Sequence, residues 1–224
     1  MGVAIMASGT DASAYSNNYI PPVAGPIAWA NLESGLLSSA RRLKNWGSEG
    51  GAFTLSGDAA LASVGVSSAG TADSRLTLST SSRDIYTLVV LCDVGVDASI
   101  LRLRDIRIGT NSSKQLVRWM AAGQTTSTIT APASGAFTVF LQGDTTGHRF
   151  GLISGGAVLA MTSTAVNTGT TSTYIGGLNA SGVNKAWAGY GAAEYAKKLS
   201  DTELLMVSER LLARAKYLGV TVNG

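Results

Sequence analysis

The sequence predicts an all-β protein that ends in a single α-helix. Short segments rich in β-branched residues alternate with glycine turns over most of the chain, which is typical of antiparallel strands. One clear helical pattern occurs, over residues 200–218. The chain has 224 residues, of which 45% are hydrophobic and 14% are charged, so it can bury the core of one large β-sandwich. We expect an extended arm at 1–27 and one domain at 28–224.

The first 27 residues predict the arm. They are polar, rich in Gly and Ser, and interrupted by Pro21, Pro22 and Pro26, and they show no periodicity. Two interpretations of this segment stay open: a loose terminus, and an arm that docks on a neighbouring subunit. The docking alternative depends on side chains that such an arm could bury, namely Tyr15, Tyr19, Ile20 and Trp29.

The segments that follow predict strands, after a short helix at about 36–43. FTLSG, ASVGVS and SRLTLST each carry strand signals, and DIYTLVVLCDV is apolar on both faces. We therefore expect DIYTLVVLCDV to be a central strand that is covered on both sides. Its Cys92 is the sole cysteine, which excludes an internal disulfide and indicates a packed thiol.

The apolar positions of SILRLRDIRIG change parity. Leu101 and Leu103 occupy one face, whereas Ile106 and Ile108 occupy the other, so a bulge or tight bend is expected at 104–105. We expect an outward arginine cluster, listed here as Arg102, Arg104, Arg107 and the nearby Arg118. A solvated sheet face is the main interpretation, and an anionic ligand site is the alternative.

Two hairpins are expected next. The strands at 136–142 and 148–154 flank a turn at 143–147, and Gly155–Gly156 then leads into a strand at 157–162. Both of these glycines can adopt positive φ, as a two-residue hairpin turn requires. Sequential hairpins indicate an antiparallel meander and not βαβ crossovers.

Local chemistry sets the bounds of the helix. Ser200 and Glu203 have the S-x-x-E spacing of a capping box, and Gly219 suits a C-terminal cap. Apolar residues recur every three or four positions, at Leu204, Val207, Leu211, Ala215 and Leu218. The helix is therefore amphipathic, and its apolar face should pack on the sheets.

Charge and hydropathy exclude several partners. The net charge is +3, and the longest basic clusters are only Arg41–Arg42 with Lys44, and Lys197–Lys198, so no nucleic acid is expected. No segment approaches the roughly 20 apolar residues needed to span a membrane, so no membrane insertion is expected. The N-terminus lacks the basic region of a signal peptide.

Three segments between about 136 and 220 follow a known family pattern. The family's paired strands and glycine turn are similar to FTVFLQGDTTGHRFGLISGGAVLAMTS. Its L-x-I-G-G strand is similar to TYIGGLNASG, and its closing strand and helix are similar to WAGYGAAEYAKKLSDTELLMVSERLLARAKYLGV. These segments resemble the concanavalin A-like lectin/glucanase superfamily, and laminin-G-like domains in particular. The resemblance implies a jelly-roll sandwich of two antiparallel sheets, with the helix against its outside or edge.

The ending of the chain also resembles domains of bacterial cell surfaces and phage virions. Short length, low charge, a polar arm and the missing signal peptide and disulfide favour the phage setting. The leading hypothesis is a non-enzymatic virion structural or attachment protein of a tail, fibre, baseplate or head decoration, made in the host cytoplasm. Its expected partners are other virion proteins and further copies of the chain, with a host surface glycan also open.

The sequence argues against an enzyme. Retaining glycoside hydrolysis needs two carboxyl groups about 5 Å apart, and the E-x-D-x-E strand of the superfamily's glucanases is missing. His148 is the sole histidine, no G-x-S-x-G motif accompanies it, and a His/Cys zinc site lacks ligands. We therefore assign no catalytic residue, metal or cofactor, although calcium at Asp144, Asn179 and Asn184 stays open.

Carbohydrate binding is the second hypothesis, as a lectin module of a bacterial or phage surface protein. A sugar site combines an aromatic platform with planar polar groups. The candidates for such a site are Trp187, Tyr190, Asn179, Asn184 and Trp119. Core packing is the alternative interpretation for Trp187 and Trp119.

Overall fold

A computed structural model of the chain describes residues 21–32, 34–79, 83–121, 123–169, 172–178 and 182–223. Within these ranges, antiparallel strands form two facing sheets, and a long helix covers the outer face of the larger sheet. The all-β sandwich with a C-terminal helix is confirmed. Tyr15, Tyr19 and Ile20 of the predicted arm lie outside the described residues.

The secondary-structure elements follow one another along the chain with short connections. The strands are β1 (Pro26–Ala30), β2 (Thr54–Ser56), β3 (Ala60–Leu61), β4 (Val66–Ser68), β5 (Arg75–Ser79), β6 (Tyr86–Val94), β7 (Ser99–Leu103), β8 (Ile106–Thr110), β9 (Gln115–Met120), β10 (Gly123–Thr130), β11 (Phe137–Asp144), β12 (Gly147–Ser154), β13 (Ala157–Ser163), β14 (Thr173–Gly176) and β15 (Trp187–Tyr195). The helices are α1 (Ser39–Arg42) and α2 (Asp201–Tyr217).

Each sheet mixes strands from distant parts of the chain. The larger sheet has the order β13-β12-β11-β6-β15-β4-β3, with β1 also paired to β15 beyond the end of β4. The smaller sheet has the order β10-β9-β8-β7-β14-β5-β2. Consecutive hairpins build β7 to β10 and β11 to β13, as the meander pattern predicts.

The hydrophobic core has two layers. Alternate residues of β6, such as Leu88 and Val90, face the smaller sheet, whereas Val89 and Leu91 face α2. The prediction that this strand is central and covered on both sides is therefore confirmed. Cys92 is fully buried between the sheets, and this burial raises the pKa of its thiol, so it acts as a packing residue.

The helix α2 begins at the predicted capping box. The Ser200 hydroxyl accepts from the Glu203 amide at 3.2 Å, and the Glu203 carboxylate accepts from the Ser200 amide at 2.9 Å. Leu204, Val207 and Leu211 are buried beneath the helix, as the periodicity predicts. From β12, Arg149 donates to both carboxylate oxygens of Asp201, at 2.5 and 3.1 Å, which lowers the pKa of Asp201 and ties the helix N-terminus to the sheet.

The parity change at 104–105 is a tight turn between β7 and β8. Arg104 adopts a φ of 56°, and Leu103 lies opposite Ile106, so both strands direct their apolar residues inward. The expected outward arginine cluster is correct for Arg102 and Arg107 and wrong for the other two.

Arg104 and Arg118 are buried for different reasons. Arg104 folds into the turn and donates to the Arg83 carbonyl at 2.9 Å. Arg118 lies opposite the inward-facing Ile108 and shares its parity with buried Leu116, so the burial of Leu116 places Arg118 between the sheets.

Trp29 belongs to the sandwich and not to an arm. The strand β1 begins at Pro26, within the predicted arm, and Trp29 is fully buried in the helix-side core. Its indole N–H donates to Asn31 at 2.9 Å. The side chain is therefore a core residue and is not exposed for docking on a neighbouring subunit.

Two smaller expectations also have clear outcomes. Gly155 and Gly156 join β12 to β13 with φ values of 58° and 73°, as the hairpin prediction requires. The short helix expected at 36–43 is reduced to the single turn of α1.

Neither helix in the described ranges combines the length and apolar character needed to cross a bilayer.

Candidate functional site

The outer face of the smaller sheet carries a row of side chains that crosses five strands. Tyr174 of β14 lies opposite Arg102 of β7, which lies opposite Arg107 of β8. Arg107 in turn lies opposite Trp119 of β9, and Trp119 lies opposite Gln124 of β10. Directly opposed residues share a face, with Cβ atoms about 5 Å apart. We call these five residues the Arg–Trp row.

Two guanidinium groups cover Tyr174 at one end of the row. Arg102 donates to the Tyr174 hydroxyl at 3.1 Å, and its second donor holds the Arg104 carbonyl at 2.7 Å. Arg75 of β5 lies over the tyrosine ring, 4.6 Å from its centroid, and forms an ion pair with Asp73. Tyr174 is only 4% exposed as a result, so it positions the arginines and offers little surface itself.

Trp119 provides the aromatic surface at the other end. The side chain is half-buried, and its indole N–H donates to Gln124 at 3.0 Å, which fixes the ring. The ring lies against Gly109 of β8, where a Cβ atom would collide with the indole and with the Ala98 carbonyl. Glycine at 109 therefore allows the close approach of Trp119 to the sheet.

The row borders a shallow depression of about 310 Å³. Its lining includes Arg102, Arg107, Trp119 and Asp105, the last from the turn between β7 and β8. Two guanidinium groups face one carboxylate there, which leaves an excess of positive charge. Guanidinium forks bind carboxylates in a bidentate manner, the Asp105 carboxylate can accept from hydroxyl groups, and an indole offers an apolar platform.

The structure separates the residues predicted to form a sugar site. Trp119 is in the Arg–Trp row, whereas Trp187 is 4% exposed between the sheets and donates to the Ser74 carbonyl at 3.2 Å. Tyr190 lies on the outer face of the larger sheet, and Asn184 lies half-buried in the loop before β15. Asn179 falls outside the described residues.

Sequence reasoning identified Arg102, Arg107 and Trp119 separately. It missed Tyr174 and Gln124 and the alignment of the five residues. The available signals were the aromatic side chain of Trp119 and the parity of Arg102 and Arg107, which alternate with buried leucines and isoleucines and therefore point outward. Nothing local joins these arginines to Tyr174, Trp119 or Gln124. That connection depends on strand order and register.

Asp144, which the sequence leaves open as a calcium ligand, and His148, to which it assigns no catalytic role, both have partners within the protein. Asp144 pairs with Lys198 at 2.6 Å and accepts from the Thr146 amide at 2.8 Å. His148 is 3% exposed, and its Nδ1 lies 2.8 Å from the Ala165 carbonyl. Burial, together with the charge of Arg118, lowers the pKa of His148. Over the part of the chain described, no three His, Cys, Asp or Glu side chains converge as metal ligands would.

No family model and no curated protein matches the sequence. Several solved structures are similar in fold. A sialidase of Trypanosoma rangeli has a TM-score of 0.61 and 13% identity over 86% of this chain and 33% of its own. The binding domain of botulinum neurotoxin serotype C1 has a TM-score of 0.58 and 11% identity over 84% of this chain and 52% of its own.

A third similar structure is the binding domain of botulinum neurotoxin DC in complex with SialylT, with a TM-score of 0.58 and 12% identity. It is matched over 83% of this chain and 50% of its own. The likeness is one of fold. This chain spans about a third of the length of the sialidase and about half of the length of each toxin domain.

Proposed function

We propose that the chain is a non-catalytic carbohydrate-binding module that binds carboxylated glycans at the Arg–Trp row. The observation that carries this proposal is the alignment of Arg102, Arg107 and Trp119 on one exposed face, in direct register. The arginines supply donors for a carboxylate, Asp105 and Gln124 supply polar partners for hydroxyl groups, and the indole supplies an apolar surface. An acidic sugar has a matching group for each of these three kinds of contact.

The comparisons support the carbohydrate class. One matched structure is the Trypanosoma rangeli sialidase in complex with sialic acid, and another concerns two ganglioside molecules that botulinum neurotoxin type C requires for cell entry. Sialic acid and gangliosides both carry carboxylate groups on a sugar. At 11% and 14% identity, these proteins share the sandwich with this chain, and the residues of the row supply the argument for its ligand.

The virion setting stays a prediction. It follows from the resemblance of the closing strand and helix to phage domains, and neither the fold nor the comparisons support it. A glycan-binding face on a rigid sandwich is compatible with an attachment protein. It is equally compatible with a module of a bacterial surface protein.

Isothermal titration with N-acetylneuraminic acid, glucuronic acid and galactose tests the site. We expect both acids to bind, and Arg102→Gln and Trp119→Ala each to weaken acid binding by about tenfold or more, as for the loss of a charge-assisted hydrogen bond or an aromatic contact. Arg149→Gln is the matched control, because Arg149 lies at the other sheet and pairs with Asp201.

Two results would contradict the proposal. One is equal affinity for galactose and both acids, since the excess of guanidinium charge would then have no effect. The other is acid binding that both row variants leave unchanged while their thermal unfolding matches the wild-type protein. Release of a free sugar from a glycan substrate would contradict the non-catalytic assignment.

A further inference from the structure

A second groove lies on the opposite side of the sandwich, where α2 ends. It has a volume of about 710 Å³ and lies on the outer face of the larger sheet. Its lining includes Asp93 of β6, Ser67 of β4, Ala188 and Tyr190 of β15, and residues 218–221 after the helix. No lysine or arginine is among its lining residues, so it differs in charge from the Arg–Trp row.

A β-bulge places Tyr190 in this groove. The register of β15 against β6 shifts between Gly189 and Gly191, so Tyr190 is the extra residue of the strand. The bulge adds one side chain to the outer face, next to the small Ala188, which lies opposite both Asp93 and Ser67. Small side chains, Ala188 and Ser67, therefore form the floor, and the half-buried Tyr190 lies beside them.

The polar groups of the groove are a carboxylate and a phenol. Asp93 is half-buried, and within the described chain its carboxylate accepts no hydrogen bond and forms no ion pair. Burial of Tyr190, helped by the charge of Asp93, raises the pKa of its phenol, which stays a neutral donor and acceptor. Residues 218–221 follow the C-terminal end of α2, where the basic side chains Arg214 and Lys216 in the last turn offset the negative end of the helix dipole.

We propose that this groove is a second carbohydrate site, selective for a neutral saccharide unit. The Asp93 carboxylate would accept from two neighbouring hydroxyl groups of a pyranose, and the Tyr190 ring would contact its C–H surface. The Asp93 carboxylate disfavours a carboxylated sugar, because the two like charges repel. The floor of small side chains, Ala188 and Ser67, suits a flat ring better than the narrow, extended side chain of a basic peptide.

The two sites are independent. The sheets of a sandwich are about 10 Å apart, and the row and the groove lie on their opposite outer faces. A chain with both sites can hold an acidic and a neutral glycan at the same time, or two parts of one long glycan in turn. Linked contacts of this kind raise avidity without any new interaction at either site.

Two-dimensional ¹⁵N–¹H NMR of the full chain tests the proposal, with N-acetylglucosamine and galactose titrated separately. We expect shifts at 188–191 and 218–221 with at least one of the two sugars. Asp93→Asn should weaken that binding about tenfold. Asp97→Asn is the matched control, because Asp97 follows the same strand with a φ of 53°, which asparagine also adopts.

A Tyr190 pair separates binding from folding. Tyr190→Phe keeps the ring and should retain most of the affinity, whereas Tyr190→Ala should remove it. If Tyr190→Ala unfolds, then Asp93→Asn and Tyr190→Phe still decide the question. Unchanged affinity in Asp93→Asn overturns the proposal, as does tighter binding of Nα-acetyl-lysine amide than of either sugar.

The groove and the Arg–Trp row can fail separately. In Trp119→Ala, neutral sugars should still shift the groove residues, and N-acetylneuraminic acid should shift residues of the row only in the wild-type protein. Neutral-sugar shifts confined to the row overturn the second site. Groove shifts without any acid binding overturn the function proposed for the row and leave the second site standing.

Discussion

The packing of α2 on the larger sheet can be tested with one core substitution. Leu204 is 0% exposed and lies in the cluster that joins the helix to Val89, Leu91 and Phe140. Leu204→Ala removes this contact and changes helix propensity little, since alanine is the best helix former. The measured loss should therefore report packing between the helix and the sheet.

The magnitude follows from the atoms removed. Leu→Ala deletes three carbon atoms, which is about 2.4 kcal/mol of transfer free energy at ~0.8 kcal/mol each. A residual cavity adds to this, so the free energy of unfolding should fall by about 3 kcal/mol. For a domain of this size, that corresponds to a decrease in Tm of about 6–12 °C.

Urea unfolding at 25 °C and calorimetry measure this change, with Met206→Ala as the control. Met206 lies on the same helix, two positions along, and is 41% exposed, so its loss should cost less than about 1 kcal/mol. Equal losses in the two variants would refute the assigned orientation of the helix. A changed m-value would show that the variant alters the denatured state or the two-state transition instead.

Three further predictions concern titration and close contact. Burial lowers the pKa of His148 from 6.5. The stability that this residue confers is therefore present above pH 6.5 and is lost as pH falls through its native pKa. The Tm should decrease from pH 7.5 to 5, and it should decrease less in His148→Gln. The hydroxyl groups of Ser68, Ser74 and Thr71 donate to Asp58 and hold its pKa well below 3.8, so its contribution to stability is present above that pH. The difference in Tm between the wild-type protein and Asp58→Asn should therefore shrink from pH 7 to 2. A constant difference would contradict this cause. Gly109→Ala should lower stability and weaken binding of N-acetylneuraminic acid in calorimetry, because its Cβ displaces the Trp119 ring; unchanged affinity would show that the ring does not contribute.

Features with local causes could be predicted from the sequence. The capping box at Ser200 and Glu203, the turn at Gly155–Gly156 and the parity change at 104–105 each depend on residues a few positions apart. The two-sided burial of β6 follows from its unbroken apolar run. These signals determine the elements and which face of each is buried.

The Arg–Trp row depends on long-range register, which the sequence does not display. Tyr174 and Arg102 are neighbours because β14 inserts between β5 and β7, and no local motif specifies that order. Trp119 and Trp187 show the same limit. Each lies in a strand among mixed neighbours, and the partner strands decide that one faces solvent and the other the core.

The position of β15 affects how the protein can form during synthesis. Among the strands of the described residues this one is synthesised last, yet it lies in the middle of the larger sheet, between β6 on one side and β1 and β4 on the other. Until the ribosome has added Tyr195, the edges of β6, β4 and β1 that pair with β15 are unpaired, and the larger sheet is incomplete at its centre. The nascent chain is therefore expected to fold late and slowly, and to depend on chaperones that shield exposed strand edges until the final segment is inserted.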